Sequence, residues 1–312
     1  EAVGHERNPV TGEPYVPNPV ALGDYGRVVA EFWADGPMSE TPPGHWNSIA
    51  NFATDQLAAA GSLRIGGDGE EVDRLEYDVK MYLALNGAVH DAAIAAWGNK
   101  AHYDYVRPIS MIRYMGGLGQ SSDPAGPAFH PDGLVLDDGV VEVITEESSA
   151  PGERHARLAE YVGEVAVLAW QGEPPDIEND VGGVGWIRAV EWVPYQRSTF
   201  VTPAFAGYVS GHSTFSRAAA EVLTELTGTA YFPGGLAEWP IEVDGLEFEA
   251  GPAEPITLQW ATYQDAADEA GVSRLYGGIH VRADDLEGRV IGAEVGAAAW
   301  ERATEYFDGT AG

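Results

Sequence analysis

The sequence predicts an all-α fold, in which helices pack around one core and long loops connect them. Apolar residues recur at three-to-four spacing in several segments, which is typical of amphipathic helices. Strands and helices do not alternate as they do in a parallel α/β protein, and the chain contains no internal repeat. A chain of 312 residues can bury a sizeable core, so we expect a single helical domain over residues 1–312.

Three helices are expected in the first third of the chain, after an extended lead-in at residues 1–19 that contains several prolines. They span residues 20–33, 44–61 and 70–98. The third is the clearest, because acidic residues occupy its first turn and its apolar residues keep a helical spacing. The residues expected to face the core are Val72, Leu75, Val79, Tyr82, Leu83 and Ala93.

Helices and loops alternate in the rest of the chain. Helices are expected at residues 152–172, 210–228, 257–278 and 283–307. Loops are expected at residues 116–152, 173–208 and 229–256, the last with a short hairpin. Ser210 is a typical N-cap and Gly228 a typical helix end. Residues 70–307 are therefore expected to form the bundle that carries the functional site.

The chain is strongly acidic, with 49 Asp and Glu against 17 Lys and Arg and a formal net charge of −32. Nucleic acids and anionic membranes would be repelled, so neither is an expected partner. No run of about 18 apolar residues predicts a transmembrane helix. Cysteine is absent, which excludes disulfides and thiolate chemistry.

The chain opens with EAVGHERNPVTGEPY, which does not resemble a signal peptide and reads like the interior of a longer protein. We therefore expect the chain to be the C-terminal part of a longer one. The acidic, lysine-poor composition suits a secreted protein or one exposed to high salt, and the expected location is extracellular or periplasmic. A homo-oligomer is compatible with the sequence.

Three cationic side chains stand out against this acidic background. Lys100, in the stretch WGNKAHYDYVRPIS, is one of only two lysines, and Arg107 follows seven residues later, directly before Pro108. Arg274 belongs to the stretch SRLYGGIHVRAD. Lysine brings a point charge and arginine a planar fork of donors, and both suit the oxygens of a bound oxyanion.

Two histidines and a helix start complete the constellation. Ser210 opens a predicted helix, so its hydroxyl and the N–H of Gly211 lie at the positive helix end. His212 and His280 can supply a nucleophile or ligand and a proton carrier near neutral pH. Asp284 follows His280 by four residues and can hold its imidazole in one tautomer. These residues predict a site for an oxyanion of about the size of phosphate.

The order K-x6-R-P, S-G-H and S-R-x5-H-x3-D resembles the three-part signature of the superfamily that contains vanadium-dependent haloperoxidases and type 2 phosphatidic acid phosphatases. The match spans residues 100–284. Val209 is a departure, since the family usually has proline before the serine, but no chemical group is lost. The resemblance implies a helical bundle of the vanadium haloperoxidase/acid phosphatase type, in the chloroperoxidase-like branch.

The resemblance also implies vanadate as the cofactor. The residues that would bind it are Lys100, Arg107, Ser210, Gly211, His212, Arg274 and His280. His280 would be the axial vanadium ligand and His212 the acid–base partner, and Lys100 and Asp284 would also belong to the catalytic set. Hydrogen peroxide, a halide and a small organic acceptor would be the reaction partners, with hypohalous acid as the product.

Two aromatic residues and a long interval favour a haloperoxidase over a phosphatase. About a hundred residues separate Arg107 from Ser210, more than a simple phosphatase needs. Trp97 and Phe205 stand at the offsets where fungal chloroperoxidases of this family place the walls of a halide pocket, although either could be a core residue. Two alternatives stay open: a soluble acid phosphatase with a phosphohistidine intermediate, and a non-catalytic oxyanion-binding or structural domain.

Overall fold

A computed structural model describes residues 4–34 and 40–312. Its α-helices are α1 (Leu22–Phe32), α2 (Pro42–Ala59), α3 (Arg74–Tyr103), α4 (Pro108–Leu118), α5 (Gly211–Thr227), α6 (Tyr263–Tyr276) and α7 (Arg282–Phe307). Its strands are β1 (Val141–Val143), β2 (Val165–Trp170), β3 (Val184–Arg188), β4 (Ala237–Ile241) and β5 (Ile256–Trp260). Within these residues, no helix combines the length and apolar character that crossing a membrane requires.

The all-α prediction holds for the bundle but not for the segments between its helices. Strands β1, β2 and β3 form an antiparallel sheet in that order, and β4 pairs with β5 in a second antiparallel sheet. The first sheet lies in the long interval between α4 and α5, and the second precedes α6. The fold is therefore a helical bundle with two small sheets in its connections.

Helix α5 is the centre of the bundle, where it packs against α3, α6 and α7. Most of its side chains are buried. The helix begins at an N-cap, Ser210, whose hydroxyl accepts a hydrogen bond from the N–H of Ser213, and it ends at Gly228 with φ of 71°. The predicted helix at residues 210–228 is confirmed, and both of its end signals act as expected.

A stripe of glycines brings α7 against α5. Gly288, Gly292 and Gly296 are buried and lie on one face of α7, because they recur every four residues. A Cβ atom on Gly292 would lie 2.5 Å from the carbonyl oxygen of Thr214 in α5, so no larger residue fits without a backbone shift. The close packing places the first turns of α5 and α7 side by side.

We expect Gly292→Ala to lower the free energy of unfolding by about 2 kcal/mol, because the added methyl group meets backbone that cannot move aside easily. Chemical denaturation would measure the change. Gly87→Ala is a matched control in the exposed part of α3, where a Cβ meets nothing within 4 Å. That substitution should be neutral or stabilise by up to about 1 kcal/mol. Equal stability of the two variants would contradict close packing at Gly292.

Helix α3 begins four residues later and ends five residues later than the predicted helix at residues 70–98, and its buried face differs from the predicted one. The predicted core residues Leu75, Val79, Tyr82 and Leu83 are exposed. The buried face instead carries Tyr77, Met81, Ala84, Leu85, Ala88, Val89, Ala92, Ala96 and Lys100. Alanines on this face allow α5 and α7 to approach α3 closely. The face of α3 that is buried therefore depends on how closely the helices can pack, and not only on the size of its apolar side chains.

The helix predicted at residues 152–172 is wrong. A short 3₁₀ helix spans Ala156–Tyr161, and Gly163 then has φ of 96°, which a continuing α-helix cannot adopt. The next residues form β2, which pairs with both β1 and β3. A short apolar run such as VAVLAW fits a buried strand as well as a helix, so periodicity alone could not separate the two.

Two helix boundaries near the site also differ from the prediction. The helix expected from residue 257 begins at Tyr263, because β5 occupies the preceding residues and Thr262 forms a capping box with Asp265. Helix α4 was not predicted. Arg107 is its N-cap and Pro108 its first residue, a position that proline favours because its fixed φ suits a helix start.

Candidate active site

The predicted site residues lie together at one end of the bundle, at or beside helix ends. They are Lys100 near the end of α3, Arg107 before α4, Ser210, Gly211 and His212 at the start of α5, Arg274 near the end of α6, His280 before α7 and Asp284 in the first turn of α7. Hydrogen bonds join several of them across the fold. Packing of the helix ends therefore assembles one cluster from three separate segments.

The start of α5 forms one wall of the cluster. The carbonyl oxygen of Asp284 accepts a hydrogen bond from the N–H of Ser210 at 2.9 Å, which ties α7 to α5. A Cβ on Gly211 would lie 3.1 Å from the ring of Trp97, so the ring sits directly over the helix start. The unpaired N–H groups of a first helical turn attract anions, and here they lie beside cationic side chains.

His280 is held between Asp284 and Arg107. Its Nδ1 lies 2.9 Å from Oδ2 of Asp284, and its Nε2 lies 3.0 Å from Nη1 of Arg107. The carboxylate can only accept and the guanidinium can only donate, so Nδ1 carries the proton and Nε2 keeps its lone pair. Burial lowers the pKa of His280 to about 4, although the hydrogen bond to Asp284 acts in the opposite direction. The imidazole is therefore neutral near pH 7, with a lone pair on Nε2.

Lys100 is buried and forms no ion pair with any described residue. Its Nζ donates to the carbonyl oxygens of Ala206 and Gly207, both at 2.9 Å. Burial, and then the nearby charge of Arg107, lower the pKa of this amine to about 7. A buried lysine without a carboxylate partner is costly to charge, and a bound anion would offset that cost.

Arg107 has a donor without a partner. Its Nε donates to the carbonyl oxygen of Phe205 and its Nη1 to that of Ile279, each at 2.9 Å. Its Nη2 is buried and meets no acceptor in the part of the chain that the structure describes. Burial lowers the pKa of this guanidinium to about 10, despite the opposing charge of Asp284. An unused buried donor on a cation is what an oxyanion site requires.

Arg274 and His212 form the opposite side of the cluster. Arg274 is buried and donates from Nε to the hydroxyl oxygen of Ser273 at 3.0 Å and from Nη2 to the carbonyl oxygen of Ala30. His212 Nε2 lies 2.6 Å from the carbonyl oxygen of Trp33, which can only accept, so this nitrogen carries the proton. Burial, and then the charge of Arg274, hold the pKa of His212 well below its usual value. The ring is neutral, with Nδ1 as the acceptor.

Trp97 and Phe205 lie next to the cations rather than in the core. Their ring centroids are 5.1 Å apart, and Nζ of Lys100 lies 5.7 Å from one ring and 5.4 Å from the other. Each side chain is more than two-fifths exposed. They line a cavity of about 300 Å³, hereafter the aromatic cavity. Its described lining residues are Pro42, Pro43, Trp97, Phe200, Pro203, Phe205, Gly211, His212, Phe215, Ile279 and His280.

The structure adds residues to this region that sequence patterns did not single out. His45 is buried against the rings of Trp33 and Phe32, and it is near enough to Arg274 for that charge to help lower its pKa, which burial lowers most. Phe200 lines the aromatic cavity from a segment that looked irregular. Neither lies in a motif, so only the tertiary arrangement relates them to the cluster.

The donor set fits an oxyanion such as vanadate. Three buried cations, a helix start and the lone pair of one histidine converge, and Arg107 keeps a free buried donor. Over residues 4–34 and 40–312, no three His, Asp or Glu side chains gather as ligands of a bare cation. The chemistry of the cluster is that of anion binding, in which cationic donors neutralise oxygens and one imidazole nitrogen can bind the central atom.

Comparisons with known proteins identify the family and the fold. A family model described as the VCPO second helical-bundle domain matches residues 80–309. The holo form of a bacterial vanadium-dependent chloroperoxidase is similar in structure, with a TM-score of 0.60 and 16% identity over 93% of this chain and 45% of that one. The apo form of a bacterial vanadium-dependent chloroperoxidase gives a TM-score of 0.55 and 17% identity, over 95% of this chain and 52% of that one.

The similarity to these structures is limited in both coverage and sequence identity. The chain spans about half the length of the two chloroperoxidase chains, and at such low identity the likeness concerns the fold. Curated protein sequences give no significant match. The family model nevertheless covers well over half of the chain and includes every residue of the three-part signature. The chain therefore belongs to the family of the VCPO second helical-bundle domain, within the vanadium haloperoxidase superfamily.

Proposed function

We propose that this chain is a vanadate-dependent haloperoxidase, which uses hydrogen peroxide to oxidise a halide to hypohalous acid. The aromatic cavity carries the proposal, because Trp97 and Phe205 line it beside His280 and Gly211. An apolar wall removes part of the hydration shell of a halide and leaves the ion more reactive. A phosphate ester that needs only a charged site would gain little from such a wall.

The cofactor would be held by the donor set described above. Lys100, Arg107 and Arg274 would neutralise the oxygens of vanadate, the hydroxyl of Ser210 and the N–H of Gly211 would donate to them, and Nε2 of His280 would bind vanadium. When bound, vanadate activates hydrogen peroxide for the two-electron oxidation of a halide.

The protein's own residues would position these groups and move protons. Asp284 keeps Nδ1 of His280 protonated, so Nε2 stays available. His212 donates from Nε2 to Trp33, which leaves Nδ1 to accept a proton from peroxide and return it to the leaving hydroxide. Peroxide, halide and one proton then yield hypohalous acid and water.

A second candidate function rests on the same imidazole. A neutral His280 with an unprotonated Nε2 also suits attack on phosphorus, with a phosphohistidine intermediate. The third candidate is a domain that binds an oxyanion without turnover, for which the cationic side chains of the cluster alone would suffice. The three candidates use the same site and differ in whether they turn over a substrate and in which substrate they use.

One pair of assays separates the three candidates. The protein would receive orthovanadate, hydrogen peroxide and bromide with a dye that becomes brominated, and in parallel a phosphate monoester without vanadate. Vanadate-dependent bromination is expected, with no ester hydrolysis. Ester hydrolysis without bromination would replace the haloperoxidase by the phosphatase. Anion binding without either reaction would leave the non-catalytic domain.

Oxyanion binding should weaken as the pH rises above about 7. The pKa of Lys100 is lowered from 10.5 to about 7, so the anion-free amine loses its proton above that pH and must regain it to bind an anion. Affinity should then fall by up to about tenfold per pH unit and level off below pH 7. Calorimetric titration with orthovanadate in several buffers would measure the affinity and the proton uptake.

The control for this prediction is Lys100→Met, which keeps a buried side chain of similar length without the charge. Ionisation of vanadate itself affects both proteins equally, so the difference between them reports Lys100. If both proteins show the same pH dependence and proton uptake, Lys100 does not titrate with binding.

A further inference from the structure

A second cavity meets the aromatic cavity at His212. It has a volume of about 410 Å³ and is hereafter the arginine cavity. Its described lining residues are Ala34, Gln196, Arg197, Thr199, Phe200, Pro203, His212, Phe248, Arg274 and Ile279. Four of these also line the aromatic cavity, namely Phe200, Pro203, His212 and Ile279. A molecule in the arginine cavity would therefore lie next to the place where the proposed oxidised halogen forms.

The arginine cavity differs in charge from the rest of this acidic chain. Two arginines line it, and none of its described lining residues is Asp or Glu. Other cavities carry acidic residues: Glu31, Glu40 and Glu247 line one of about 220 Å³, and Asp24 and Glu249 line one of about 610 Å³. The arginine cavity thus suits an anionic ligand, which most of the surface would repel.

Arg197 is the cation at the accessible side of this cavity. Its side chain is about one-third exposed, and its Nη2 lies 3.5 Å from the carbonyl oxygen and 3.7 Å from Oε2 of Glu247. Both contacts are long, so the guanidinium keeps donors for a ligand, although the carboxylate of Glu247 offsets part of its charge. A guanidinium in this position can hold a carboxylate by two parallel hydrogen bonds.

Most of the remaining lining residues are apolar, and the polar ones are Gln196, Thr199 and His212. Phe200 and Phe248 present aromatic rings, and Pro203 and Ile279 fill the side shared with the aromatic cavity. The guanidinium of Arg197 lies 5.9 Å from the ring of Phe248, so charge and ring surface are adjacent. Such a combination suits a flat apolar body that carries an acidic group.

We propose that the arginine cavity binds a small aromatic carboxylate as the organic acceptor, with its carboxylate on Arg197 and its ring between Phe200 and Phe248. This inference rests on the proposed function for the supply of hypohalous acid. The ring loses a C–H bond and gains a carbon–halogen bond, and its proton leaves with hydroxide as water. The halogen is reduced by two electrons and the ring is oxidised by two, so no further oxidant is needed.

The test compares 4-hydroxybenzoate with its neutral amide, 4-hydroxybenzamide. Calorimetry should show that the protein binds the acid about tenfold more tightly than the amide, as expected for one charge-assisted contact. Arg197→Gln should remove this preference, whereas Phe200→Ala should weaken both ligands. Arg302→Gln is a matched control at the far end of α7, where the arginine pairs with Glu305, and it should keep the preference.

A competition experiment gives the second readout. With both compounds, bromide and peroxide, the brominated acid should exceed the brominated amide, and Arg197→Gln should equalise them while bromide oxidation continues at the original rate. An unchanged preference in Arg197→Gln, or equal products in the unaltered protein, would overturn the inference. If bromide is not oxidised but the Arg197-dependent binding persists, the proposed function fails and the carboxylate site stands.

Discussion

His280→Ala is expected to abolish vanadate-dependent bromination, with a loss on the order of a thousandfold or more, comparable to removing a member of a catalytic triad. The substitution removes Nε2, whose lone pair is oriented by Asp284 on one side of the ring and by Arg107 on the other. No other described side chain in the cluster presents a histidine nitrogen with the same partners. Bromination rates with saturating orthovanadate would measure the loss.

Stability should change much less than activity in this variant. Asp284 keeps the hydrogen bond from the N–H of Val281, so we expect a cost of only about 1–3 kcal/mol for the lost imidazole contacts. Thermal unfolding would check it. His130→Ala is the control, because His130 lies in a loop outside the cluster, where its Nδ1 accepts a hydrogen bond from the N–H of Asp132. Bromination that survives in His280→Ala at normal vanadate loading would disprove the role of His280.

Arg107→Gln is expected to weaken orthovanadate binding by about a hundredfold to a thousandfold, since truncating a buried charged partner typically costs 2–5 kcal/mol. The substitution removes the free buried donor Nη2 and the contact that orients Nε2 of His280. Both losses act on the same bound group, so binding should suffer more than folding. Calorimetric titration with orthovanadate at fixed pH would measure the affinity.

The control for Arg107→Gln is Arg113→Gln in the same helix. Arg113 donates to the carbonyl oxygen of Trp192 and has no contact with the cluster. Its substitution should leave the affinity within about twofold of the original. If both variants bind orthovanadate as tightly as the unaltered protein, the cluster is not the anion site.

The helices that the sequence predicted well are those with local end signals. Ser210 and Gly228 mark the start and end of α5, and hydrogen bonding within a few residues decides both. The predictions that failed concern segments whose structure depends on contacts with residues far away in the chain. Helix α3 buries a face rich in alanine because α5 and α7 approach closely, and VAVLAW becomes a strand because β1 and β3 lie beside it.

The candidate site shows the same division. The types and order of the charged residues and histidines could be recognised from the sequence, because a motif is a property of neighbouring positions. Lys100 and Arg107 stand out in the sequence itself, because acidic residues greatly outnumber basic ones in this chain. The sequence thus predicted an anion site and the residues expected to form it.

Protonation and cavity shape depended on the tertiary structure. The neutral state and tautomer of His280 follow from its burial beside Asp284 and from Arg107, which lies 173 positions away in the chain. The arginine cavity likewise combines Arg197, Phe248 and Arg274 from three distant segments. Burial and electric field are sums over neighbours in space, whereas a sequence specifies neighbours along the chain. For that reason the residues of the site could be predicted, but their charge states and the second cavity could not.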